Sequence, residues 1–258
     1  MAIDTNSASR GLISGIIDDV GDFLDNILDD ALDFDLDNLD DVDGFLDDID
    51  DTFSDVTDGL GDLFDDDNDD DDDNKATNGD NRLIGSNKND RIDGKGGDDA
   101  IAGLNGDDEL RGGNGDDAIL GQNGSDLLAG DSGTDLLLGG VGNDTLYGGT
   151  GNDTLNGESG NDSLDGGDGE DLLYGDIGKD FLKGGKNQDV FVLRRKTGRD
   201  TITDFQDGTD RIDLSGNLDF GDLVFVQRTK GTLIRVGQEQ IGLVQGVQKD
   251  TLTSADFT

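Results

Sequence analysis

The 258-residue chain is predicted to fold as an all-β solenoid, a stack of coils built from short strands. Two observations predict this architecture. A nine-residue period runs without a slip through the middle of the chain, and each period offers one apolar side chain to a core. Only 31% of the residues are hydrophobic, and Trp, Pro, Cys and His are absent. A dense globular core is therefore not expected, whereas stacked coils bury one apolar residue per period in continuous ladders.

Residues 1–74 are predicted to form an acidic amphipathic arm that ends in an Asp-rich linker. This segment holds 28 acidic residues and one basic residue. From Ile16 to Leu63, apolar residues take 13 steps over 47 residues, about 3.6 residues a step, which is the helical period. Asp is a poor helix former, so we expect this stripe to need a surface on which to lie. The tract from Asp65 to Asp73 is predicted to be a solvated linker.

Residues 75–192 carry the nine-residue repeat, which we number in twelve blocks from Gly85. Each block is predicted to divide into a six-residue turn and a three-residue strand, such as Thr145-Leu146-Tyr147, whose middle side chain points to the core. Gly begins every block, and Ile, Leu or Phe fills every eighth position. The sixth position is always Asp: Asp90, Asp99, Asp108, Asp117, Asp126, Asp135, Asp144, Asp153, Asp162, Asp171, Asp180 and Asp189.

These repeated carboxylates predict bound cations. In stacked coils each Asp lies about 4.8 Å from its counterpart, so the row of negative charges repels itself. Ca2+ accepts about six to eight oxygen ligands, and glycine turns expose carbonyl oxygens that add to one carboxylate per turn. The predicted metal-site residues are the twelve aspartates and the first- and fourth-position glycines of the central blocks: Gly94, Gly97, Gly103, Gly106, Gly112, Gly115, Gly121, Gly124, Gly130, Gly133, Gly139, Gly142, Gly148, Gly151, Gly157, Gly160, Gly166, Gly169, Gly175 and Gly178.

The blocks GGVGNDTLY and GGTGNDTLN, residues 139–156, resemble the calcium-binding nonapeptide of RTX (repeats-in-toxin) proteins. The resemblance covers about residues 85–192 and implies a right-handed parallel β-roll of about six coils, with two nonapeptides in each coil. Aspartates 18 residues apart would then stack on one edge, with Asp99 and Asp117 on one side of the roll and Asp90 and Asp108 on the other.

The ends of the repeat depart from the RTX pattern. Lys88 and Asn187 replace the fourth-position Gly, and an earlier partial block has Asn81 in place of Asp. We therefore expect the weakest sites at the ends and roughly eight to ten Ca2+ ions in all.

One outward face of the roll is predicted to be covered. It consists of positions seven and nine of the even-numbered blocks, and ten of its twelve residues are apolar or aromatic. We call it the even-block face: Ala100, Ala102, Ala118, Leu120, Leu136, Leu138, Thr154, Asn156, Leu172, Tyr174, Val190 and Val192. The expected cover is either the arm of the same chain or another copy, in a dimer or a filament. The corresponding odd-block positions are predicted to be an ordinary hydrated face.

Residues 193–258 are predicted to form a β-strand end-cap. The stretch GRDTITDFQDGTDRIDLS, residues 198–215, alternates apolar and polar side chains around a Gly turn, and a parallel solenoid leaves an open edge to cover. The stretch resembles the flank that follows the repeats in serralysin-type secreted proteins. Asp256-Phe257-Thr258 resembles their uncleaved type I secretion signal, which implies the type I secretion machinery as a partner. No cleavable N-terminal signal and no membrane span are visible.

The predicted function is that of a secreted, extracellular or cell-surface calcium-binding structural protein, a matrix, surface-layer or filament component. A net charge of −43 repels nucleic acid and anionic membrane surfaces. The alternative is a carrier module that presents an enzyme or a carbohydrate-binding partner. An enzyme is not predicted, because without His and Cys the chain lacks His-ligated zinc, His acid–base groups and Cys nucleophiles. Ice binding is not predicted, because it would need regular rows of Thr on one face of the roll, and Thr145 and Thr154 are predicted to lie on opposite faces.

Overall fold

The structure is a computed structural model that describes residues 76–215 and 218–257. The predicted arm over residues 1–74, with its helical stripe and acidic linker, lies outside the described residues. The described part is all-β, apart from two 3-10 turns at Phe220–Asp222 and Ser254–Asp256. Its eighteen strands are β1 (Arg82–Ile84), β2 (Arg91–Gly96), β3 (Ala100–Asn105), β4 (Glu109–Asn114), β5 (Ala118–Asn123), β6 (Leu127–Ser132), β7 (Leu136–Val141), β8 (Thr145–Thr150), β9 (Thr154–Ser159), β10 (Ser163–Asp168), β11 (Leu172–Tyr174), β12 (Phe181–Lys186), β13 (Val190–Leu193), β14 (Asp200–Ile202), β15 (Arg211–Leu214), β16 (Leu223–Arg228), β17 (Gly231–Val236) and β18 (Glu239–Gln245).

The strands form a parallel β-solenoid, as predicted. Odd-numbered strands β1 to β15 make one sheet of eight, and even-numbered strands β2 to β14 make up seven strands of the other sheet. Within the repeats each strand pairs with the strand 18 residues away, for example Leu146 with Leu164, so two nonapeptides complete one coil. The even-block face is the outer side of the eight-stranded sheet.

Most strands are longer than the predicted three residues. Strand β8 runs through Gly148 and Gly149 to Thr150 because the parallel pairing resumes at the second position of the next block, where Gly149 pairs with Gly167. The residue at this position has positive φ, +119° at Gly149, which turns the chain without ending the pairing. The six-residue turn of the prediction is therefore shorter in the structure.

The core is a double ladder of eighth-position side chains. Each of them is at most 1% exposed within the described coils, except Ile92 in the first block, which is partly buried. The buried ladder, including Leu83 of the partial block, is Leu83, Ile101, Leu110, Ile119, Leu128, Leu137, Leu146, Leu155, Leu164, Leu173, Leu182 and Phe191. Stacking of the coils therefore buries the eighth-position side chains, which a single nonapeptide would leave exposed.

The C-terminal segment closes one end of the roll. Strands β14 and β15 extend the two sheets beyond the last nonapeptide, so the stack reaches about seven coils rather than the predicted six. Strands β16, β17 and β18 then pair antiparallel, with β18 beside β14. Phe220, Phe225 and Phe257 pack together, with ring centroids 5.2 to 5.7 Å apart. These rings join the buried core and cover the open end.

Candidate metal centres

The sixth-position aspartates stand at the corners where a turn enters a strand. At each corner the backbone N–H donates to Oδ1 of the Asp one coil further on. The distance from Asp135 N to Asp153 Oδ1 is 2.9 Å, and that from Asp144 N to Asp162 Oδ1 is 2.8 Å. The carboxylates therefore form two continuous rows, one on each edge of the roll, as the predicted 18-residue stacking requires. The structure brings all twelve predicted aspartates into these rows.

The second oxygen of these carboxylates has no protein partner. In eleven of the corners Oδ2 is buried without a hydrogen bond, and the residues are at most 3% exposed. These corners are Asp99, Asp108, Asp117, Asp126, Asp135, Asp144, Asp153, Asp162, Asp171, Asp180 and Asp189. Burying an unpaired charged oxygen costs on the order of 3–5 kcal/mol unless a counter-charge compensates it. The rows therefore present eleven oxygens suited to a cation.

The predicted glycines shape the space around these oxygens. A Cβ built on Gly148, a first-position residue, would overlap Asp153 Oδ2 and approach the carbonyl oxygen of Gly166 at 2.6 Å. A Cβ on Gly142, a fourth-position residue with φ +154°, would overlap the carbonyl oxygen of Gly124. Glycine at these positions leaves a pocket edged by carboxylate and carbonyl oxygens, the donor type that Ca2+ prefers.

The electrostatics of the rows favour the neutral form of the carboxyl groups when no metal is bound. Burial, together with the smaller effect of the neighbouring charges of Asp153 and Asp117, raises the pKa of Asp135 to about 8 against the lowering effect of the Asp117 N–H. Burial likewise raises the pKa of Asp117 to about 7 and of Asp162 to about 7. At neutral pH a divalent cation can replace these protons as the compensating charge.

The first corner differs from the others. Asp90 is half-buried, and its Oδ2 accepts hydrogen bonds from Ser86 N at 2.6 Å and Ser86 Oγ at 2.9 Å. In the partial block before it, Asn81 Oδ1 accepts the N–H of Thr77 at 2.6 Å. Asp90 Oδ2 therefore has two protein donors, unlike Oδ2 at the eleven corners that follow.

Ca2+ fits this arrangement as an ion shared between coils. Within residues 76–215 and 218–257, no three acidic side chains converge on a single point. Each corner instead supplies one carboxylate, and the adjacent glycine turns supply carbonyl oxygens, a mixed set that the flexible coordination of Ca2+ accommodates. Bound Ca2+ would supply the positive charge between rungs, and Asp Oδ2 with the first-position glycine carbonyls would hold it.

A second row of polar side chains was missed by the sequence reasoning. At the fifth position of the blocks, carboxylate and amide oxygens accept the backbone N–H of the corresponding residue one coil on: Thr134 N donates to Asp116 Oδ1 at 2.7 Å, and Asn161 N donates to Asn143 Oδ1 at 2.8 Å. This row lies next to the metal corners and fixes the turn backbone. Its signal in the sequence is a polar residue at every fifth position.

Comparison with known families gives one match. Residues 76–191 match the model of the RTX calcium-binding nonapeptide repeat in seven overlapping segments, from 76–110 to 157–191. No curated protein sequence matches the chain. In the described part of the chain no helix is long and apolar enough to cross a membrane.

The solved structures similar to this chain include a lipase and an epimerase subunit. The extracellular lipase LipA from Serratia marcescens is 18% identical, with a TM-score of 0.40, and the match covers 71% of this chain and 39% of the lipase. The AlgE6R3 subunit of the Azotobacter vinelandii mannuronan C5-epimerase is 23% identical, with a TM-score of 0.25, and the match covers 68% of this chain and 81% of that subunit. The chain thus spans about two fifths of the length of the lipase that it matches.

Proposed function

We propose that this chain, whose residues 76–191 match the RTX calcium-binding nonapeptide repeat, is a secreted structural protein whose roll folds when Ca2+ enters the carboxylate rows. The observation that carries the proposal is the set of eleven buried Oδ2 atoms without a protein partner. A fold that leaves so many charges uncompensated is unfavourable without counter-ions at neutral pH. The metal is therefore part of the folding free energy rather than a late addition.

The magnitude is sufficient to control folding. A site that meets Ca2+ at about ten times its dissociation constant gains about 1.4 kcal/mol, and eight independent sites gain about 11 kcal/mol. The stability of an ordinary domain is about 5–15 kcal/mol. Calcium binding at the rows can therefore decide between the unfolded and the folded roll.

Secretion follows from this coupling as the second part of the proposal. Extracellular calcium modules bind with dissociation constants of about 0.1–1 mM, so such sites stay empty at cytosolic calcium levels and fill outside the cell. Phe257 is 9% exposed and pairs with Ile212 inside the cap. A type I secretion apparatus that reads this end of the chain would bind it before the cap has folded, in calcium-poor conditions.

Assembly through the even-block face is the third part of the proposal. Leu120, Leu138 and Val192 are at most 6% exposed, although their strand neighbours at the eighth position point into the core. The matching positions of the other sheet include Tyr147, which is 47% exposed. This contrast distinguishes the even-block face from the face of the other sheet. We propose that the even-block face is covered, either by residues 13–64 of the same chain or by a second copy.

The variant Leu138→Glu tests the covered face, with Tyr147→Glu on the exposed sheet as its control. A lower molecular mass in solution for Leu138→Glu identifies a second copy as the cover. An unchanged mass with faster proteolysis of residues 13–64 identifies the arm. If Leu138→Glu matches the wild type in both measurements, the face is not a contact surface.

Circular dichroism of the purified chain tests the folding proposal. In millimolar Ca2+ we expect the spectrum of a β-sheet protein, and in excess chelator at pH 7.5 we expect the spectrum of an unfolded chain. Identical spectra under the two conditions would contradict it. Analytical sizing of the same samples reports compaction and self-association together.

A further inference from the structure

Among the described residues the two sheets end in four edge strands, and β16 is the most apolar of the four. The ten-stranded sheet runs from β16 to β2, and the eight-stranded sheet runs from β1 to β15. Strand β16 has the sequence LVFVQR, with four consecutive apolar residues and a charge only at its end, and its pairing with β17 has no bulge. A long apolar edge strand is a template on which another chain can pair.

The other three edges carry features that oppose such pairing. Strand β2 places charges at alternate positions, Arg91, Asp93 and Lys95. Strand β1 is only three residues long, and the four residues of β15 include Arg211 and Asp213. Charged and short edge strands are the usual means by which proteins prevent edge-to-edge association. Strand β16 lacks this protection.

The free edge of β16 offers the backbone groups of Phe225 and Gln227. A two-residue turn joins β16 to β17, so the closing pair, Arg228 and Gly231, exchanges both of its backbone hydrogen bonds. Hydrogen-bonded pairs alternate along an antiparallel ladder. The N–H and C=O groups of Phe225 and Gln227 therefore point away from β17, towards the free edge.

The β16 edge is complementary to itself in one antiparallel register, the one that places Phe225 opposite Phe225 of a second copy. The two Phe225 residues then exchange both hydrogen bonds, and Gln227 N–H of each copy reaches the carbonyl of Leu223 of the other. Val224, which is 47% exposed, lies opposite Val226 of the other copy. Such close pairs of β-branched side chains stabilise neighbouring strands.

The charges that flank β16 fit the same register. Arg228 of each copy lies opposite Asp222 of the other, and both side chains belong to exposed residues. Asp222 Oδ2 accepts the N–H of Asp219 at 3.2 Å, which ties the carboxylate to the turn before β16. Opposite charges across a strand pair are favourable, whereas a parallel, in-register pair would place Arg228 opposite Arg228. The charges therefore select the antiparallel arrangement.

The net charge of the chain also favours contact at this end. Residues 193–258 contain ten acidic and nine basic residues, so this segment carries only one of the 43 net negative charges. Two rolls side by side would repel each other through the charges of the repeats. Two caps can approach each other without this repulsion.

We infer that β16 pairs antiparallel with β16 of a second copy and joins two ten-stranded sheets into one. A two-fold axis passes between the Phe225 residues, so the contact is closed and uses the same residues on both sides. This interface is separate from the even-block face, and it goes beyond the proposed calcium-dependent folding.

Sedimentation equilibrium of the full chain in millimolar Ca2+ tests the interface. The proteins are the wild type, Arg228→Asp, Asp222→Arg and the double variant Asp222→Arg/Arg228→Asp. We expect the wild type to dimerise and each single variant to raise the dissociation constant at least about tenfold, because like charges then face each other. The double variant should regain the wild-type constant, because opposite charges face each other again. Arg91→Asp, the same charge change on β2, is the control and should dimerise like the wild type.

Three results would overturn the inference. They are a wild type that stays monomeric in Ca2+, a dimer that Arg228→Asp leaves unchanged, and a double variant that does not regain association. Circular dichroism in Ca2+ checks that each variant is folded. If Asp222→Arg is not folded, Val224→Lys decides, since a lysine ammonium on the edge should prevent the pairing. Wild-type association of folded Val224→Lys would then reject the interface.

Discussion

The backbone N–H of Asp135 donates to Oδ1 of Asp153 at 2.9 Å, one coil further along the roll, and leaves Oδ2 of Asp153 buried without a partner. The Asp153 carboxylate thus links two coils through Oδ1, while Oδ2 leaves a buried negative charge at the corner. Repeated along both edges, this relationship makes the stack strongly dependent on a counter-charge. Four variants or conditions probe it.

Asp153→Asn should lower both the calcium count and the calcium sensitivity of folding. The amide oxygen can still accept the N–H of Asp135, but the charge that attracts the ion is lost. We expect one ion fewer per chain and a shift of the calcium midpoint to higher concentration, measured by circular dichroism during titration. Asp250→Asn, at an exposed surface position, is the matched control and should titrate like the wild type. Equal midpoints for all three proteins would contradict this role of Asp153.

Gly142→Ala should destabilise the calcium-loaded roll by about 1–3 kcal/mol, because the residue has φ +154° and a Cβ would overlap the carbonyl oxygen of Gly124. Urea unfolding in saturating Ca2+ measures the change. Gly221→Ala is the control, since a Cβ at Gly221 meets no atom within 4 Å. A Gly142→Ala protein as stable as the control would show that close packing of the turns is unimportant.

Leu146→Ala should cost about 2–5 kcal/mol, because the side chain is 0% exposed in the middle of the core ladder and its loss leaves a cavity between coils. Val141→Ala, at a side chain that is 59% exposed, should change the free energy of unfolding by less than about 0.5 kcal/mol. Chemical unfolding of both variants in Ca2+ provides the comparison. A similar effect for the two would mean that the ladder does not form the core.

Acidification should partly replace calcium. Burial raises the pKa of Asp117 to about 7, of Asp135 to about 8 and of Asp162 to about 7, above the unfolded value of 3.8. Protonation of these groups therefore stabilises the metal-free fold, fully below pH 3.8, and this stabilisation is lost as the pH rises through about 7 to 8.

The measurement is circular dichroism of metal-stripped protein from pH 4 to pH 8.5, beside the same series in Ca2+. We expect strand signal at the acid end and its loss towards pH 8 without metal, with little change when Ca2+ is present. A metal-free protein that gains structure as the pH rises would have the opposite sign and would refute the assignment. Asp135→Asn should flatten the metal-free profile.

The period of the sequence predicted the corners and the core because one residue type recurs at the same position in every block. Asp153 and Leu146 could be placed on an edge and in the core from their block positions alone. The extent of the strands could not be predicted, because it depends on positive φ at second positions such as Leu104 and Gln122, where the residue type gives no signal. The hydrogen bond from Asp180 N to Asp200 Oδ1, at 3.3 Å, was equally hidden, since two inserted residues break the period while the backbone closes the same turn.

The most direct test of the account is a calcium titration of the wild-type chain at pH 7.5, followed by far-ultraviolet circular dichroism together with the number of ions bound. We expect an unfolded spectrum in chelator and a cooperative gain of strand signal that parallels the binding of several ions. A chain that shows the full strand spectrum in chelator, or binds Ca2+ without any change in spectrum, would contradict the central claim that cations compensate the buried carboxylate rows.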